Sequence, residues 1–497
     1  MVAKFISIKD KVGYGVGSIA YSLPYTLLGT VYLIYATSIL NIPPVIAGTI
    51  VAISALWDAV SDPFVGFLSD KTISQRFGRR HLYILSGSLL TALFTWLFWS
   101  IDPSYSTNTK IILLTLYILA LKTTLTVFVI PYNALGGELA SDYDERSSVQ
   151  SWRAGFYIFG MLLALVLSNI IFFRPTKEFA KGQLNPDIYP QMGLAFAVFV
   201  VVFGLAAFYG TRRHIPLLAK SKRFNLKSSE STYANFFRKL FRCLKNHNLR
   251  ALAIAIFLIE VGFQITVANS ILINTYAYNL NGPQMGILGI CLLFSSIACQ
   301  PVWVAFSRKY DKKPALLLAG VLGIIGFALA PWIIVWWKLV PMDSDWLLVI
   351  LSFFAIIAGL ANGAFMSLPF SMISDAIDEA ELATGVREEG VYFGVYTFAY
   401  KAGISVSLLL SGVILQVIGF DSTQELQSET SIFYLVLVPS WILVVICPIA
   451  FYFIAQFKID RSSHRKLVPG GADQFDNPVS STPLTSRGVL QTSDIQS

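Results

Sequence analysis

Residues 44–68 read PVIAGTIVAISALWDAVSDPFVGFL. As a helix rising 1.5 Å per residue the stretch is roughly 37 Å long, enough to cross a bilayer hydrocarbon core of roughly 30 Å. Two acids, Asp58 and Asp62, stand inside it. Four residues apart, they share one helix face and repel each other. An ionised carboxylate taken out of water is also expensive unless it is paired. A run this apolar that keeps two charges reads as a membrane helix whose acids have a function.

The rest of the chain follows the same pattern. Of its 497 residues, 55% are hydrophobic and 13% charged, against about 25% charged in a soluble globular protein. Apolar runs of spanning length recur at about 14–40, 44–68, 82–101, 111–135, 153–173, 192–210, 251–276, 284–306, 315–336, 347–370, 390–418 and 432–456, twelve in all. Little lies outside them, so the expected fold is an all-α polytopic membrane protein without a large soluble domain. The N-terminal MVAKFISIKDK leads straight into a run too long for a cleaved signal peptide, so the first span is expected to be retained. Cys243, Cys291, Cys299 and Cys447 show no disulfide or metal spacing. GYGVGS at 13–18 opens a span without a preceding strand and reads as close helix packing, not a nucleotide loop. His81, His214, His247 and His464 fall in or beside the polar segments with no nucleophile–base arrangement, so neither an enzyme nor a cofactor is expected.

Lys and Arg set the expected orientation. SDKTISQRFGRRH follows span two, with Lys71, Arg76, Arg79 and Arg80; a long basic stretch follows span six; SRKYDKKP follows span eight. All three fall on one side, expected to be cytoplasmic together with both termini, in the cell (inner) membrane. The net charge of +8 is accounted for by these loops, so the expected partners are the lipid bilayer and a small-molecule substrate, not nucleic acid. A monomer is expected.

The basic stretch divides six spans from six. The expected organisation is an N-terminal six-helix half (1–210), a basic central loop (211–250), a C-terminal half (251–457) and a polar, disordered tail (458–497). The halves resemble each other weakly. IPYNALGGELASDYDERSSVQSWRAGFY ends span four and LPFSMISDAIDEAELATGVREEGVYFGVY ends span ten. Both run from apolar-Pro-aromatic through an acid-rich loop to an Arg. Two parallel six-helix halves with the site between them describe the major facilitator architecture.

Ionisable residues inside spans are functional candidates. They are Asp58 and Asp62 on span two, Lys122 on span four, Glu260 on span seven and Lys401 on span eleven. The acid pair becomes favourable with a cation between its members, or with one shared proton. Thr126, one turn after Lys122, and Ser61 can add hydroxyl oxygens. Lys122 either holds an anionic substrate group, acts as a tethered cation beside the acids, or reaches a backbone group only. Gln264, one turn after Glu260, gives span seven a polar face.

KVGYGVGS, LWDAVSDPFVGFLSDKT with the following GRR, IPYNALGGELASDYDERSSVQSWR, and DAIDEAELATGVREEGVYFG followed by YKAG resemble the glycoside–pentoside–hexuronide:cation symporters over roughly residues 10–457. Melibiose permease and the sodium-dependent lysophospholipid symporters are relatives within that group. The resemblance implies a major facilitator fold of twelve transmembrane helices and a Na⁺ or H⁺ site at Asp58, Ser61, Asp62 and Thr126, with Lys401 beside it. It also implies a cytoplasmic gate of Glu138, Asp142, Arg146, Asp375, Asp378 and Arg387. Substrate contacts are expected from Ser22, Asn133, Arg153, Glu260, Gln264, Tyr396 and Thr397. Two positions where melibiose permease carries sugar-binding carboxylates are here Ser22 and Val129, and Asn133 stands for its stacking Trp. Glu260 resembles the lysophospholipid branch, and Lys122 matches neither pattern.

The expected function is secondary active transport: symport of a small solute with Na⁺ or H⁺, a sugar or glycoside leading. A lysolipid or anionic solute is the alternative, and a non-transporting receptor or scaffold on the same fold is the second.

Overall fold

The computed structural model describes residues 7–72, 74, 77–78, 80–139, 143–216, 243–341, 346–384, 389–421, 424 and 426–459. The central basic stretch over 217–242, the tail from 460, Asp142 and Arg387 lie outside the described residues. So does the side chain of Arg146.

Ten described helices are long and apolar enough to cross a membrane, and twelve spans result when two bent pairs each count as one. In chain order, α1 is Ile8–Thr30 continued by Tyr32–Ile39, α2 Pro44–Lys71, α3 His81–Trp99, α4 Thr107–Leu139, α5 Tyr143–Val166 continued by Leu167–Phe172, and α6 Ile188–Thr211. Then come α7 His247–Leu272 continued by Ile273–Ala277, α8 Gly282–Ala298 with Gln300–Tyr310, α9 Lys312–Trp336, α10 Trp346–Thr384, α11 Glu389–Val417 and α12 Glu429–Ala455.

The two bends have local causes. In α1 the axis turns by 55° around Val31. Just before it, Thr26 and Thr30 donate to the carbonyls of Ser22 and Thr26, each at 2.8 Å, a bond that bends helices. In α8 the 44° bend falls at Cys299, two residues before Pro301, whose ring blocks a continuous hydrogen-bond ladder. Polar caps fix other helix starts. Asn246 accepts from the Leu249 amide at 2.9 Å, and Asn281 forms a reciprocal capping box with Gln284.

α1 packs on α5 and α6, α2 on α4, and α3 on α4 and α6; in the second group α7 packs on α11 and α12, α8 on α10, and α9 on α10. Between the groups, α2 meets α11, α5 meets α8, and α1 meets α7. A repeat hidden from composition appears in the backbone. α1 and α7 both end in a π-helical turn, each followed by an Asn in the left-handed region, Asn41 (φ 52°) and Asn279 (φ 53°). A Pro then sits in the first turn of α2 and of α8. Asn tolerates this backbone better than most residues, which explains its use at both turns.

Candidate coupling and substrate site

The two groups are locked together on the side away from the basic loops. A Cβ on Gly48 of α2 would come within 2.9 Å of the Leu408 carbonyl of α11, so the helices touch there through their backbones. The connection between α5 and α6 closes the same side. Lys181 donates to the Thr275 carbonyl at 2.7 Å and to Asn279 at 2.9 Å, and its ammonium lies over the Tyr276 ring. Gln183 donates to Thr275 Oγ1 at 3.0 Å and to the Leu280 carbonyl at 3.1 Å. Tyr276 reaches across to Ser38 at 3.0 Å. Towards the basic loops, Gly155 on α5 and Gly394 on α11 face open space, and Asn133 and Tyr400 are exposed. Among the described residues, the space between the groups is sealed at one end and open at the other.

Where α2, α4 and α11 meet, the intramembrane charges come together. Asp58 is 3% exposed, and its Oδ2 receives the Lys122 ammonium of α4 at 3.0 Å. One turn on, Asp62 accepts at Oδ1 from the Thr126 hydroxyl at 2.8 Å, and at Oδ2 from the Lys401 ammonium of α11. Ser61 lies 3.4 Å from Thr126, hydroxyl to hydroxyl. The spacing of the sequence placed two repelling acids on one face; the fold gives each its own ammonium, so their repulsion is offset without an added ion. The buried Asp58 Oδ1 is left without a hydrogen-bond partner. Lys122 also sits over the Tyr25 ring of α1, 5.2 Å from its centroid.

The expected substrate residues divide by position. Arg153 of α5 donates to Tyr21 Oη at 3.0 Å, to Asn133 at 3.2 Å and to Gln150 at 2.7 Å, forming a polar shelf at the open end. Tyr21 stands 5.4 Å from Tyr157 and 6.3 Å from Tyr25, ring to ring, which carries the shelf towards the charged cluster. On the other side Gln264 donates to Glu260 at 3.4 Å. Tyr396 is buried against Phe370 and stacks on Tyr400, while Thr397 is exposed. Ser22 stands apart. It is fully buried, its hydroxyl bonds the Ile19 carbonyl at 3.2 Å, and it packs against Gly160 of α5, so here it serves helix packing.

The described gate residues pair with adjacent helices. Arg80 forks onto Glu138 at 3.0 and 3.2 Å and reaches Ser69 at 2.6 Å. Lys312 grips both oxygens of Asp375 at 2.7 and 2.6 Å. Each of these pairs lies within one group. Asp378 is partly buried on α10. The sequence reading missed the aromatic wall of Tyr21, Tyr25 and Tyr157, although Tyr21 and Tyr25, one turn apart on the first span, were a usable signal. It also missed the Lys181–Gln183 strap, which no local pattern announces.

Comparison with known proteins adds the family. Residues 13–461 match the model described as MFS/sugar transport protein. The chain is 26% identical to the sodium-dependent lysophosphatidylcholine symporter 1 of Gallus gallus, over 84% of this chain and 80% of that protein. It is also 26% identical to the inner membrane symporter YicJ of Escherichia coli (strain K12), over 87% of each. Among solved structures, the nucleoside transporter NupG shares 15% identity at a TM-score of 0.63, covering 91% of this chain and all of that one. The inward-open xylose transporter XylE shares 14% at 0.57, covering 90% and 96%. These structural likenesses establish the major facilitator fold. The chain belongs to the MFS/sugar transport protein family.

Proposed function

From that membership, which makes the chain a multi-pass membrane symporter and not an enzyme, we propose that it moves a small hydroxyl-rich solute, a sugar or glycoside, with a coupling cation by alternating access. The observation that carries this reading is the Asp62–Lys401 pair, which ties α2 of one group to α11 of the other inside the membrane. A scaffold gains nothing from such a pair, whereas a transporter needs a charge contact that the coupling ion can exchange when the groups rock. Asp58, Ser61, Asp62 and Thr126 form the coupling centre. Arg153, Asn133, Tyr21, Glu260 and Gln264 offer hydrogen bonds to hydroxyls, and the tyrosine rings offer stacking faces. The basic loops lie on the cytoplasmic side, so the open end faces inward. An inward-moving net positive charge then gains about 2.3 kcal/mol per 100 mV of membrane potential.

A lysolipid is the second reading, favoured by the lysophosphatidylcholine symporter among the relatives and by the Arg153 guanidinium, which suits a phosphate. Counterflow in proteoliposomes against sugars, glycosides and lysolipids decides between them. Exchange of a sugar or glycoside supports the first reading; exchange confined to lysolipids replaces it with the second. No exchange of any solute, with the protein folded, would overturn transport itself.

A further inference from the structure

The coupling centre carries its own cation. Resting on the reading of the acid pair as that centre, we propose that Lys122 is its resident counter-ion and that this residue makes the centre blind to sodium. The charges balance without any added ion: Asp58 and Asp62 contribute two negative charges, and Lys122 and Lys401 two positive ones. The neighbouring helices do not change the count. α1 supplies the neutral Tyr25 and α4 the neutral Thr126, and Glu260 of α7, among the described residues, makes no ion pair with either lysine.

The oxygen inventory says the same. A hard cation gives up its water only for several oxygen ligands with negative charge among them. Of the four carboxylate oxygens, Lys122, Thr126 and Lys401 take one each, and only Asp58 Oδ1 is uncommitted. An ion reaching it would sit beside an ammonium. Lys122 is also held from two sides, by Asp58 and by the Tyr25 ring face, which attracts cations in its own right.

Lys122, not Lys401, is the residue that decides. Its pair with Asp58 joins α2 and α4 of one group, with the two side chains 14% and 4% exposed. Such a pair travels intact when the groups rock. Lys401 answers Asp62 from the other group, with 34% and 22% exposed, and must let go whenever α11 parts from α2.

The test is sodium binding to the purified full-length protein, by radioactive sodium and by thermal unfolding in sodium chloride against choline chloride. The wild type should bind no sodium saturably and unfold at the same temperature in both salts. Lys122→Met should bind sodium saturably and gain a sodium-specific rise in Tm. Asp58→Asn with Lys122→Met, neutral again, should be blind. Saturable sodium binding by the wild type overturns the proposal, as does a folded Lys122→Met that ignores sodium. If Lys122→Met folds only in sodium, the ion has taken the place of the ammonium and the proposal stands; if it unfolds equally in both salts, sodium cannot fill that place and the proposal fails. Solute accumulation undiminished in Asp62→Asn would instead sink the coupling centre, a separate result.

Discussion

Asp58 and Asp62 stand one helical turn apart on α2 and are answered from opposite parts of the molecule. Asp58 takes Lys122 from α4, a neighbour in its own group, and both side chains are nearly dry. Asp62 takes Lys401 from α11, 339 residues away in sequence, keeps a hydroxyl from Thr126 as a second partner, and is more exposed. On the proposed alternating-access reading, the first pair persists and the second parts. A dry pair within one rigid group leaves a costly lone charge when broken. A wetter pair across a moving interface can open at small cost, because water replaces the lost partner.

The largest expected effect breaks the dry pair. Asp58→Asn strands the Lys122 ammonium, so unfolding in detergent should show a loss of about 3–5 kcal/mol. Adding Lys122→Met should return most of it. If Asp58→Asn proves as harmless as Asp62→Asn, the two pairs do not differ in the way described.

Asp62→Asn comes next, with the opposite signature. Its stability should change by no more than about 1 kcal/mol. Cation-driven accumulation in proteoliposomes should fall by about tenfold or more while counterflow persists, since exchange needs no net coupling. Loss of counterflow together with accumulation would mean that Asp62 holds the fold or the solute.

A smaller effect is expected at the sealed end. Lys181→Ala removes two hydrogen bonds across the groups, each worth about 1 kcal/mol. Hydrogen exchange of the 174–187 connection should then rise about tenfold or more, with the charged cluster unchanged. Unaltered exchange would show that the backbone contact at Gly48 seals that end alone.

The smallest contrast lies between the two hydroxyls. Thr126→Val removes the 2.8 Å donor to Asp62 and should lower accumulation about fivefold, the value of a hydrogen bond worth about 1 kcal/mol. Ser61→Ala touches only a 3.4 Å hydroxyl contact and should cost less than about twofold. Equal effects would mean that the hydroxyls act as one network.

The sequence by itself determined the spans, because crossing a bilayer demands long apolar helices and the chain contains them in unbroken runs. It also singled out Asp58, Asp62, Lys122 and Lys401, because ionisable residues in such runs are rare and expensive. Spacing along α2 and α4 put Asp58 with Asp62 and Lys122 with Thr126, since residues three or four apart share a helix face. Which lysine answers which acid was beyond it. That depends on how three helices from two groups meet, and pairing across 339 residues leaves no local pattern. The same holds for Ser22, which the resemblance placed among the substrate contacts and which the fold buries against Gly160 of α5. Only the tertiary structure decided which end is closed, because the strap of Lys181 and Gln183 binds mainly backbone carbonyls and small polar groups, which most sequences would supply equally well.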